Sequence, residues 1–222
     1  MAMSADGSRV AIGAFQNDGN GSNSGHARVY QWTGASWLKI GQDIDGEAAD
    51  DNSGFSVALP GDGERLTVGA YRNDGNGSNS GHVRLYYDNG GSWVQLGQDI
   101  DGAAAGDEFG FDVAMSADGR RVAISSQEYL QGPGHVRVFQ YKGTVHVGFG
   151  WEQIGQDIDG AAANDLTRRV ALSADGSRVA VTSFYANNGG AQNVGSARVF
   201  VRRHGDVKSK VVTHRLTVDV QS

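Results

Sequence analysis

Three Asp-x-Asp pairs occupy one position of a recurring string, Gly-Gln-Asp-Ile-Asp-Gly: Asp43/Asp45, Asp99/Asp101 and Asp157/Asp159. Paired carboxylates can work as general acid and base, but only where they converge in a cleft and their environments separate the two pKa values. Pairs repeated identically read instead as turn-forming groups or as an acidic ring. A second pattern, Asp18-x-Asn20-x-Ser22-x-Ser24, recurs as Asp74-x-Asn76-x-Ser78-x-Ser80. Oxygen ligands at alternate positions suit calcium, although the central Gly and closing bidentate Glu of an EF-hand are missing. Asp18, Asn20, Asp74 and Asn76 are therefore the candidate cation ligands. The competing reading is a solvated turn, which uses the same residue types. His26, His82 and His135 also share a position. Zinc needs its ligands at about 2.0–2.1 Å, and equivalent residues of separate units stand too far apart for one ion, so these histidines are expected to be exposed cross-strand partners.

All of these residues sit in a unit written four times. The turns Ser4–Gly7, Pro60–Gly63, Ser116–Gly119 and Ser173–Gly176 are spaced 56, 56 and 57 residues apart. Each unit reads as four short strands. Alternating apolar residues such as Phe111, Val113 and Met115 mark the first strand. An Asp-Gly hairpin turn leads to a second, β-branched strand such as Arg65–Ala70. A polar Asn/Gly/Ser loop precedes the third strand, and a fourth opens on Trp37, Trp93 or Trp151. Several strands per copy at this period predict an all-β propeller. Its blades are expected at 1–46, 47–102, 103–160 and 161–201, with a divergent basic tail, 202–222, that could supply a substitute outer strand.

If the four strands alternate in direction, the Asn-rich loops and the joints carrying the Asp pairs leave from the same rim. Trp37, Trp93 and Trp151 are expected to pack between sheets. Met1–Ser4 aligns with Val113–Ser116, inside a strand. The chain is thus expected to begin inside a blade, without a secretory leader, as an open arc or as a closed ring of four. An open arc leaves faces and edges that favour self-association.

Composition narrows the functions. The net charge is −6; five Lys/Arg against two Asp make residues 202–222 basic by +3, leaving −9 on the body. An acidic body argues against nucleic acid, which needs a clustered basic surface. There is no cysteine for a thiolate nucleophile or a disulfide, and no apolar run long enough to enter a membrane. Glycine, at 34 of 222 residues, is about twice its usual ~7% share, as many tight turns require.

Phe109-Gly110 ahead of a hydrophobic strand, Val68-Gly69-Ala70-Tyr71 closing the next, and Gly81-His82-Val83-Arg84-Leu85-Tyr86 after it together resemble the FG-GAP repeat of integrin α-subunit propellers. The resemblance runs over residues 1–201. It implies a non-catalytic binding or adhesion module, extracellular or at the cell surface, that recognises a protein or glycan. The acidic loop face is then the binding face, with Asp43, Asp45, Asp74, Asn76, Asp99 and Asp101 its candidate ligand contacts. A spacer array with no ligand is the alternative. The family's calcium loop between strands one and two does not carry over: Asp6, Asp62, Asp118 and Asp175 each stand alone in a tight turn, whereas calcium takes six to eight oxygens. No cofactor is expected beyond calcium at the Asp-x-Asn loops.

Overall fold

Four antiparallel sheets follow one another along the chain. The computed structural model describes residues 1–128, 132–143, 150–162, 166–185 and 195–201, together with the backbone of 214–216. Blade one comprises β1 (Ala2–Met3), β2 (Arg9–Ala14), β3 (His26–Trp32) and β4 (Trp37–Asp45). Blade two has β5 (Ser56–Ala58), β6 (Arg65–Ala70), β7 (His82–Asp88) and a broken fourth strand, β8 (Trp93–Gln95) and β9 (Ile100–Asp101). Blade three repeats this plan with β10 (Phe109–Met115), β11 (Arg121–Ser126), β12 (His135–Tyr141), β13 (Trp151–Gln153) and β14 (Ile158–Asp159). Blade four has β15 (Thr167–Leu172), β16 (Arg178–Ser183), β17 (Ser196–Val201) and β18 (His214–Leu216), the last pairing with β17 through Ala197 opposite Leu216. The other expectations for the tail, and for the loop at 186–194, fall outside the described residues. Among those residues there is no helix, and so none long and apolar enough to cross a membrane. The chain is an all-β partial propeller.

Sheet order within each blade follows chain order, because tight turns join neighbouring strands. Ser4 donates to the Asp6 carboxylate at 2.6 Å, and that same oxygen accepts the Ser8 amide. Ser116/Asp118 and Ser173/Asp175 repeat the arrangement. These bonds hold the Asp6 carboxyl at about 2 and the Asp175 carboxyl lower still. The turns also link the blades. The Ala5 amide donates to the Gly61 carbonyl, Gly61 to Ala117 and Ala117 to Ala174.

The core lies between blades. Val57, Leu66 and Val68 of blade two pack on Ala27, Val29 and Ile44 of blade one. Leu85, Ile100, Val113 and Ile124 form the next layer. The Phe-Gly and Gly-Ala motifs meet at these junctions, where a Cβ added to Gly69 would collide with the Gly110 carbonyl. Blade four has Arg168 at the position of Gly110.

Two of the three repeated tryptophans lock neighbouring blades together. The Trp93 indole lies over Gly41 and donates to the Ile40 carbonyl at 3.1 Å. Trp151 lies over Gly97 and donates to the Leu96 carbonyl at 2.8 Å. Blade four has no tryptophan at this position. The matching place, beside Ile154, Gly155 and Phe200, is a cavity between blades three and four.

Candidate functional site

The Asn-rich loops and the joints do share a rim, and they are bonded to each other. Asn20 Nδ2 donates to the Gly46 and Glu47 carbonyls, and Asn76 Nδ2 to those of Gly102 and Ala103. Within the loops, Asp18 Oδ1 accepts the Asn23 amide and Asp74 Oδ1 the Asn79 amide. Asn23 and Asn79 turn the chain with φ of 51° and 50°, a conformation asparagine tolerates. The Asp-x-Asn spacing thus folds the loop onto its own backbone and onto the joint. Asn76→Ala will cost about 1–2 kcal/mol by orphaning two joint carbonyls, read as a lowered midpoint in thermal unfolding. An unchanged midpoint would show that this crossing bond does not anchor the joint.

Two buried carboxylates that the sequence reading passed over hold the joints. Asp51 Oδ2 accepts the Glu47 and Ala48 amides and the Asn73 side-chain amide. Asp107 does the same for Ala103 and Ala104. The available signal was an acidic residue four positions after the first residue of each Glu/Ala-rich joint.

The Asp pairs do not converge on one cleft. In blade one, Asp43 Oδ2 accepts from Arg28, and Oδ1 from Lys39 at 2.5 Å. Those two cations hold its carboxyl well below the usual carboxylate range. In blade three, Arg137 and Gln153 engage Asp157. In blade two, Asp99 Oδ1 accepts from Gln95 at 2.5 Å. The Asp101 carboxyl is pushed up by partial burial and by the charge of Asp99.

The histidines are not exposed cross-strand partners. His26, His82 and His135 are all buried, because the next blade closes over the head of the third strand. There a Cβ on Gly54 would collide with the His26 carbonyl. His26 Nδ1 stands 3.9 Å from Asp45, and His82 Nδ1 stands 3.8 Å from both Glu47 and Asp99. His135 Nδ1 hydrogen-bonds Glu128 at 2.8 Å. Burial lowers the His82 pKa to about 4, so its ring is neutral at pH 7. Among the described residues, two clusters could hold a cation: His26–Asp43–Asp45 and Glu47–His82–Asp99. Neither includes Asp18 or Asp74.

Residues 44–86 match the FG-GAP repeat family model. A search of curated proteins finds no match to the chain. Solved propellers align over nearly all of it. The periplasmic gluconolactonase PpgL of Pseudomonas aeruginosa is 17% identical, with a TM-score of 0.62 over 100% of this chain and 58% of that one. A putative 6-phosphogluconolactonase of Bacteroides uniformis is 15% identical, with a TM-score of 0.62 over 98% of this chain and 54% of that one. Chaetomium thermophilum Sqt1, solved bound to the N-terminus of ribosomal protein L10, is 19% identical, with a TM-score of 0.53 over 90% of this chain and 44% of that one. The chain therefore spans about half the length of these propellers. At such identities the likeness establishes the fold alone.

These findings correct the expected function. The non-catalytic adhesion module is what the integrin resemblance implies, yet two of the propellers that align over nearly the whole chain are described as lactonases. The rim groups expected to meet a ligand are largely engaged within the protein: Asp43 by Arg28 and Lys39, Asp74 and Asn76 by the loop and joint backbone.

Proposed function

We propose that the chain is an assembling propeller segment, which docks a second copy of itself blade to blade. The observation that carries this reading is the contrast between Trp37 and its two counterparts. Trp93 and Trp151 are 3% and 5% exposed, each covered by a neighbouring blade, whereas Trp37 is 42% exposed. Around Trp37 lies an apolar groove formed by Met3, Val10, Ile12 and Tyr30. A face of this kind on a soluble protein marks an interaction site.

The contacts between blades indicate which surface covers that face. Each turn donates its amide to the next turn, so the series ends with the Ala5 carbonyl on blade one and the Ala174 amide on blade four. Arginines repeat the pattern. Arg9 donates to the Gly63 carbonyl, Arg65 to Asp118 and Arg121 to Asp175. Arg178 is the next in the series, and Asp6 offers the carbonyl that would match it in a second copy. Blade four of one copy therefore complements blade one of the next, a head-to-tail contact.

Sedimentation velocity on the purified chain tests the reading. The expected result is a concentration-dependent dimer that Trp37→Glu weakens about 30-fold or more, the effect of losing an interface hot spot. Arg178→Glu at the opposite end is expected to weaken it too. A chain that stays monomeric at about 100 μM, or a dimer indifferent to both substitutions, would overturn the proposal.

A further inference from the structure

We infer that Glu47, His82 and Asp99 form a binding site for a divalent transition-metal ion of the zinc class, at the junction of blades one and two. His82 is 1% exposed; its Nε2 is buried without a partner, and among the described residues its Nδ1 makes no hydrogen bond. Its Nδ1 points between two carboxylate oxygens, Glu47 Oε2 and Asp99 Oδ2, at 3.8 Å from each. That is beyond hydrogen-bonding distance. A ring nitrogen that faces two carboxylate oxygens without bonding either leaves room for a cation between all three groups.

The remaining oxygens of both carboxylates are held elsewhere, which aims these two at the ring. Glu47 Oε1 takes Arg84 at 3.3 Å, and Asp99 Oδ1 takes Gln95 at 2.5 Å. Outer contacts of this kind orient metal ligands. The three ligand atoms lie within 4.8 Å of one another. A tetrahedral ion with bonds of about 2.0–2.1 Å spaces its ligands about 3.3–3.4 Å apart. Closing from 3.8 Å needs only small rotations of Glu47 and Asp99, whose side chains are 48% and 30% exposed. One imidazole with two carboxylates suits zinc or manganese better than calcium, which prefers an all-oxygen shell.

The other blades serve as internal controls. In blade one, Arg28 and Lys39 engage both Asp43 oxygens. In blade three, Glu128 hydrogen-bonds His135, and Ala103 stands where blade two's junction has Glu47. The site therefore depends on Glu47. Metal on Nδ1 puts the ring proton on Nε2, which is buried without an acceptor. A missing outer contact costs about 10–100-fold in affinity, so micromolar binding is expected rather than nanomolar.

Untagged protein titrated with zinc chloride in a calorimeter, and weighed by native mass spectrometry, tests the site. One zinc per chain is expected, with a tenfold or greater loss of affinity in Glu47→Ala. That variant copies the natural Ala103 junction, so its circular dichroism should be unchanged. His82→Gln is expected to abolish binding. Manganese is expected to compete weakly and calcium not at all. Zinc binding that Glu47→Ala leaves untouched, no binding below about 1 mM, or calcium binding more tightly than zinc would each overturn the inference. The oligomeric state of the same samples is read separately and does not enter this result.

Discussion

Replacing Trp151 with alanine will destabilise the protein by about 3–5 kcal/mol, while Trp37→Ala will cost about 1 kcal/mol or less under monomeric conditions. The two residues hold the same place in successive copies of one repeat, so propensity and chemistry are matched and only surroundings differ. Trp151 packs against Tyr141 with ring centroids 5.2 Å apart and the planes tilted, and covers Gly97 of the preceding blade. Its Nε1 satisfies the Leu96 carbonyl in a buried bond. Truncation leaves a cavity and an orphaned carbonyl together, and both terms act in the same direction. Trp37 has neither a covering blade nor a hydrogen-bonded carbonyl among the described residues; it touches Trp32 at 5.5 Å on the open side. Urea unfolding at two protein concentrations separates the cases. The Trp151→Ala loss should be the same at both, whereas a Trp37→Ala loss should grow with concentration as assembly sets in. Equal losses at low concentration would mean that blade one is already covered.

The repeat exposed the blade plan because each copy must solve the same local problem. Ser-Ala-Asp-Gly is legible as a hairpin turn because its serine and aspartate bond within four residues. The fourth strand was legible only in part. Trp93–Ile100 reads as a continuous run, but the strand is interrupted over Leu96–Asp99, where Gly97 has a φ of 84° and lies beneath the Trp151 indole. Nothing in the run itself reveals a tryptophan arriving from 54 residues away.

The histidines failed for a related reason. A polar residue at a strand head reads as exposed unless the next blade is known to close over it. Glu47 lies in the joint that leads into blade two and His82, 35 residues on, at the head of that blade's third strand, so no spacing rule pairs them. The one clue was the departure of Glu-Ala-Ala from Ala-Ala-Ala at the other two joints. In an array of near-identical units the informative residues are those that break the repeat.

Acidification from pH 6.5 to about 4 will remove about 3 kcal/mol of stability through His82 alone, measured with a chelator present. Burial is the main cause of its low pKa, and Arg84 adds to it, against the opposing influence of Asp99 and Asp51. Above pH 6.5 the ring is neutral in both folded and unfolded chains and contributes nothing to the slope. As pH falls below 6.5 the unfolded chain takes up a proton that the folded chain refuses until about pH 4. The unfolded state is thereby favoured by about 1.4 kcal/mol per pH unit. Burial also lowers the His26 pKa, which adds to the loss in the same window. The bonded carboxylates act elsewhere. Asp43 and Asp175 titrate well below the usual carboxylate range once folded, so their contributions persist through most of this range and disappear only at lower pH. The His82→Gln variant should therefore unfold with a much flatter pH dependence between 6.5 and 4 whatever its absolute stability. If its slope matches that of the unaltered protein, His82 is solvated in solution and the next blade does not close over the head of the third strand.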